Sequence, residues 1–262
     1  MRRVISQIVF GFHWLLNAVA FIIELVFCIP VLGRAAKWLW NLVLLLPGII
    51  SLIVDFILNL AGIQLEKKMR VGVIVLNAPD VGRVAQPAEI IQGLTFAERV
   101  FAEQANVKMV TIVETATIAP GNTAPWLRYE SHPSPPAILN VHCNLSAVLE
   151  DLWLAGGHFE YFMATRWFAS NFRRVFGLGS PLIVFVVRGI ENFGGCSLGP
   201  LSDYVTIVPN SLICIAHELG HACNLPHTED PRNLLHHARC DQPQLTRWQV
   251  AVLRASRHVS YF

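Results

Sequence analysis

Two long apolar runs open the chain, residues 4–30 and 38–63. Each exceeds the ~20 residues that a helix needs to cross a hydrocarbon core. Residues 31–37 between them hold Gly33, Arg34 and Lys37, and this polar break predicts a helical hairpin. Each run also carries a polar stripe at helical spacing: His13, Asn17 and Glu24 in the first, Gly48, Ser51, Asp55 and Asn59 in the second. Polar groups in lipid are costly and turn toward one another. Counting outward from the loop, His13 shares a depth with Asp55, and Glu24 with Asn41, so those pairs are expected to meet. The same pattern also fits an amphipathic hairpin lying flat in the interface, or two buried core helices. Ala18-Val19-Ala20 has the form of a signal-peptide cleavage site, but the apolar run continues past it where polarity should begin.

After residue 66 the pattern changes to short β-branched runs alternating with helical segments. Residues 70–77, 108–114, 137–143 and 182–188 read as strands, and 194–199 and 204–208 as short extended pieces. Thr95 and Glu98 form a capping-box pattern that predicts a helix over 96–106. Residues 115–136 hold five prolines and read as a long surface loop. Residues 146–176 read as helical with a break near Gly156-Gly157. Further helices are expected over 211–223 and 246–257, the last with Trp248, Val252 and Leu253 on one face. The alternation predicts an α/β domain over 67–262 with a mixed, mostly parallel sheet, preceded by the hairpin over 1–66.

Composition sharpens this division. Hydrophobic residues make up 53% of the 262 and charged residues 15%, and the apolar excess sits in the first 65. A net charge of +2 with no basic stripe gives no support to nucleic-acid binding. Arg2, Arg3, Lys67, Lys68 and Arg70 flank the hairpin, against Arg34 and Lys37 in its loop; this 5-to-2 bias predicts a cytoplasmic domain, with the extracytoplasmic side as the alternative. Of six cysteines, Cys28 lies in the apolar region and Cys143, Cys196, Cys214, Cys223 and Cys240 in the domain. The odd number and the absence of a CxxC pair argue against a dense disulfide framework and fit a reducing space, with one or two bridges still open.

The chemistry concentrates in residues 217–227, which read HELGHACNLPH. His217 and His221 are four apart, so both imidazoles leave one helix face at a separation that suits two Zn–N bonds of about 2.0–2.1 Å. Glu218 is adjacent and is expected to take a proton from water that zinc polarises. A third ligand must come from beyond the helix. His227 supplies it if the chain turns after Cys223, and Asn224 tolerates the left-handed conformation that such a turn needs. Pro226 prevents the helix from continuing. Asp241 is an alternative third ligand. Intramembrane zinc proteases also carry a His-Glu-x-x-His helix, but here it lies outside the hairpin and no Leu-Asp-Gly segment follows. Cys223, beside the ligands, reads as a buried inert thiol.

Residues His217, Glu218, His221 and His227 resemble the HExxHxxGxxH motif of the metzincin clan of zinc peptidases, with Asn224 where the clan has glycine. The strand–helix order over 70–257 is similar as well. The resemblance implies an apolar Met-turn floor beneath the zinc. Residues 230–235 are similar to that turn, with Leu235 at the Met position. It implies that His237 is a candidate oxyanion stabiliser, the alternative being a surface histidine. Residues 194–199, with Gly195, Cys196 and Leu198, resemble the edge strand that pairs with substrate, and fit a plain surface loop equally well. The function so implied is a membrane-anchored zinc endopeptidase acting on a protein or peptide, with one zinc ion and Glu218 as general base. The competing reading is a catalytically silent membrane scaffold that keeps zinc for structure.

Overall fold

The computed structural model describes residues 2–61, 63, 65–111 and 127–261. The apolar N-terminal region forms three helices, α1 (Arg2–Phe27), α2 (Leu32–Val43) and α3 (Leu46–Leu60). The second apolar run breaks at Leu44–Leu45 because Pro47, in the first turn of α3, cannot donate to a preceding carbonyl. Two segments, Val9–Phe27 and Leu32–Leu58, are long and apolar enough to cross a membrane.

The chain continues through β1 (Lys67–Ala78), β2 (Gly82–Arg83), α4 (Pro87–Ala105), β3 (Val107–Thr111), β4 (Leu127–Pro133), α5 (Pro136–Leu139) and β5 (Asn140–Val141). Then follow α6 (Leu145–Trp153), α7 (Ala155–Arg166), α8 (Asn171–Phe176), β6 (Leu182–Val186), β7 (Gly189–Ile190), β8 (Gly195–Ser197) and β9 (Tyr204–Ile207). The last elements are α9 (Ile215–Ala222), α10 (Arg247–Ala255) and β10 (Val259–Ser260). The main sheet is mixed. β3, β4 and β6 run parallel to β1, and β9 runs parallel to β6. β10 and β2 join β1 antiparallel, and β8 joins β9 antiparallel as the last strand on its side. Strand β1 has the buried β-branched run its sequence promises, and each face of the sheet has its own core. One packs against α4, α9 and α10, the other against α5 and α7.

Three local expectations are corrected. Helix α4 starts at Pro87, nine residues before the start at 96 that the Thr95 box predicts, because Gln86 and Glu89 form a capping box of their own with Pro87 at the first helical position. Residues 137–143 do not form one strand. Pro136 starts the one-turn helix α5, which leaves only Asn140–Val141 extended. The proline-rich stretch is not all loop, since β4 pairs with the second half of β1. Residues 112–126, at the end of the strand expected over 108–114 and in the loop after it, lie outside the described residues, as do the side chains of Arg2, Arg3 and Asn59.

The polar stripes of the N-terminal helices meet the domain, not one another. Arg34 pairs with Asp151 at 2.9 Å and Glu160 at 2.7 Å. Lys37 pairs with Asp203 at 3.0 Å and Glu24 at 3.3 Å. Arg174 on α8 pairs with Glu24 at 3.1 Å and with Glu160, and Arg257 pairs with Asp203 at 2.8 Å. All eight side chains are buried, four cations against four anions. The expected Glu24–Asn41 contact is replaced by these pairs, while Asn41 donates to the Leu201 carbonyl. The expected His13–Asp55 contact is likewise replaced. Asp55 pairs with Lys67 at 2.9 Å, Arg254 at 3.2 Å and the Tyr261 hydroxyl. Asn17 accepts from the Phe172 amide at 3.0 Å. A charge cannot be buried without a partner, and the domain offers opposite charges that the other helix lacks.

Arg34→Ala leaves Asp151 and Glu160 short of a buried cation and is expected to cost about 3–5 kcal/mol in detergent-phase unfolding. Arg232→Ala, which removes an exposed pair with Asp230, is expected to stay within ~0.5 kcal/mol.

His258 gives a pH signature. Burial pushes its imidazole down to about 3 while Nδ1–H donates to the Ser180 carbonyl. Its folded value lies below the unfolded one, so the unfolded state binds the extra proton on acidification. Stability is then full above about pH 6.5 and falls as pH drops from there toward 3. His258→Asn is expected to flatten that slope in urea titrations at stepped pH.

Candidate metal centre

Helix α9 rests on the sheet through Ile215, Ala216, Leu219, Ala222 and Cys223, which are all buried. That anchoring turns His217 and His221 to the opposite, cleft-facing side. The helix ends in a Schellman motif. Asn224 sits at φ 71°, its amide donates to His221 O at 2.9 Å, and the Leu225 amide donates to Gly220 O at 3.1 Å. The left-handed turn expected at Asn224 is therefore present, and it carries the chain back so that His227 faces the helix. The three Nε2 atoms converge: His217–His221 2.9 Å, His221–His227 3.0 Å and His217–His227 3.3 Å. Three nitrogens bound tetrahedrally at 2.0–2.1 Å would lie about 3.3 Å apart, so the triad fits one metal ion and leaves a fourth direction free.

Backbone carbonyls fix the ring orientations. His217 Nδ1 lies 2.7 Å from Leu234 O, and His221 Nδ1 lies 2.7 Å from Leu225 O. A proton on each Nδ1 makes it the donor and leaves Nε2 as a lone pair for a metal. Burial lowers the pKa of both rings, His221 to about 4, so both are neutral near pH 7. Leu234 belongs to the turn over 230–235. There the Asn233 side chain accepts from the Leu235 amide at 2.9 Å and donates to Gln249 on α10 at 2.7 Å. Leu235 is buried with its methyls against Gly220, the residue before His221.

Glu218 points to strand β8. A Cβ built on Gly195 would stand 2.5 Å from Glu218 Oε1, so only glycine leaves room for this carboxyl. Burial raises the Glu218 pKa to about 8. Gly195, Ser197, Gly199 and Pro200 line a cleft of about 870 Å³ together with the triad, Glu218 and His237. Of the candidate edge residues, Gly195 and Cys196 lie on β8, and Leu198 follows its end. His237 is half-exposed in the cleft, 3.7 Å from Glu229. Asp241 is exposed beside Arg239 and lies outside the triad. Cys223 is buried, with its thiol pushed up to about 12 by burial, as an inert thiol should be.

Of the one or two bridges that the cysteine count leaves open, the structure has two. Disulfides join Cys143 to Cys196 and Cys214 to Cys240, tying β8 and the start of α9 to the loops beside the cleft. Their spacings of 53 and 26 residues carry no local signal; only the position of Cys214, three residues before His217, hinted at the site. The role of Gly195 in making room for Glu218 was also not visible.

Asn224→Gly is expected to keep metal binding and to raise stability by up to about 1 kcal/mol, because glycine adopts this backbone without a Cβ. Asn224→Val should destabilise the turn and weaken metal retention on dialysis. Gly195→Ala should leave the triad able to hold metal but displace Glu218, which would show as full metal content in a crystal with a moved carboxylate.

Compared with family models and with curated proteins, the chain matches none.

Proposed function

We propose that the protein is a membrane-anchored, zinc-dependent endopeptidase of metzincin-like design. The observation that carries this reading is the convergence of three imidazole Nε2 atoms beside the buried Glu218 carboxyl, on the wall of an open cleft. Structural zinc sites are closed by four protein ligands, whereas catalytic ones keep a position for water or substrate. Among the described residues no fourth His, Cys, Asp or Glu joins the triad, which weighs against the scaffold reading.

Zinc held there would supply a Lewis acid able to polarise water and the scissile carbonyl. His217, His221 and His227 bind it as neutral rings. Glu218 would be ionised beside a cation held by the triad, against the rise that burial alone causes. Glu218 then takes a proton from the attacking water and returns it to the departing amine. The outer edge of β8 offers backbone groups to an extended peptide, which holds the bond to be cut in register. His237 donates to the oxygen that gains charge at the carbonyl.

The disulfides favour an extracytoplasmic domain, because such bridges persist in oxidising spaces.

Glu218→Gln is expected to keep one zinc per chain and lose at least ~100-fold in cleavage of a peptide library. His227→Ala should lose zinc, while Asp241→Ala keeps both zinc and activity. Wild-type protein that holds zinc but cleaves nothing would favour the scaffold.

A further inference from the structure

The charged residues between 4 and 65 are Glu24, Arg34, Lys37 and Asp55, and every one is buried against the domain. The outer face of the three helices therefore carries no charge from 9 to 58. It presents Phe10, Leu15, Ile22, Ile29, Ile50 and Ile57 among other large apolar side chains, each more than half exposed.

The contacts with the domain run along the helices and do not stop at one end. Asn17 on α1 bonds α8. Thirteen residues further on, at Pro30, α1 has already ended, and the Val31 amide donates to Leu152 O on α6 at 2.7 Å. Leu32 next to it is 80% exposed, and Trp153 and Leu154 beside Leu152 are also exposed. The apolar face thus continues from the helices onto the domain. Asp55 on α3 bonds Arg254 on α10. A spanning hairpin would carry its turn to the far side of a ~30 Å core, away from a domain held at its base. Here the turn and the middle of α3 both touch the domain.

We propose that α1, α2 and α3 lie along one leaflet of a phospholipid bilayer, apolar face in the acyl chains and polar face bonded to the domain, so that the protein is held by one leaflet and does not span. Lipid fits this face better than a second protein copy does. Protein interfaces, even obligate ones, are only ~65% apolar with a polar rim, and this face has no charge along its length. Exposed Trp14 and Trp153 suit the boundary where acyl chains meet headgroups. The inference goes beyond the peptidase reading and does not rest on it.

Nitroxide labels placed singly at Leu15→Cys, Ile22→Cys and Ile29→Cys in the full chain with Cys28→Ser, in phosphatidylcholine–phosphatidylglycerol vesicles, test it by power saturation with oxygen and a water-soluble nickel chelate. All three should favour oxygen and lie at depths within about one helical turn, ~5 Å, of each other. A spanning α1 would instead change depth by ~20 Å from 15 to 29. Such a gradient overturns the proposal. So does access of nickel at all three, or spin–spin broadening between chains with oxygen excluded, which would mark a second copy. Labels at Ile50 and Ile57 repeat the test on α3 without altering α1. Zinc content and cleavage are not read, so failure here leaves the peptidase reading standing.

Discussion

Burying an ion in an apolar surrounding costs several kcal/mol unless another ion and further hydrogen bonds answer it. This constraint organises the molecule. The N-terminal segment is too apolar to keep its four charges in water, and its two anions and two cations are not placed so as to satisfy one another fully. Glu24 and Lys37 satisfy each other only in part, and Arg34 and Asp55 find no partner among the helices. The domain supplies partners for Asp55 at the start of β1 and on α10, and for the other three on α6, α7, α8, just before β9 and in the segment after α10. The result is one electroneutral cluster that spans sequence separations of more than a hundred residues. Cutting the helices away would leave Asp151, Glu160 and Asp203 facing only Arg174 and Arg257. Helices and domain therefore share one buried ion network.

That cluster lies close behind the cleft. Asp203 precedes β9, and β9 holds β8 in register. The turn at Gly199–Leu201 is gripped from one side by Asn41 on α2 and from the other by Arg257, whose guanidinium donates to Pro200 O at 2.8 Å. Gly199 and Pro200 line the cleft. The position of Gly195, and with it the space for Glu218, is set by strands that the ion network and two disulfides hold from behind. The metal triad depends on a different support. A helix buried on the sheet, a Schellman turn and the amide lock between Asn233 and Gln249 aim the three rings.

The metal triad was legible because its geometry is local. Spacing alone places His217 and His221 on one face, and a left-handed Asn224 followed by Pro226 is a short-range instruction to turn. The same holds for β1 and β6, whose apolar patterns match their burial, whereas in α10 Leu253 is buried and Trp248 is exposed. What failed was long-range or competitive. The Thr95 box was a sound local signal that a stronger start at Gln86–Pro87 overrode. The polar stripes were real, but depth-counting presumed that the two helices were each other's only partners. The ion partners of Arg34 lie 117 and 126 residues away, and no periodicity encodes them. The disulfides were hidden for the same reason.

The proposed function requires one zinc ion held by three imidazoles with its remaining position open to water. Zinc K-edge absorption on the purified full chain measures this directly. The account expects three nitrogen scatterers and one light oxygen scatterer at about 2.0–2.1 Å, with no sulfur shell. A sulfur shell near 2.3 Å, or an ion bound without a histidine signature, would contradict it.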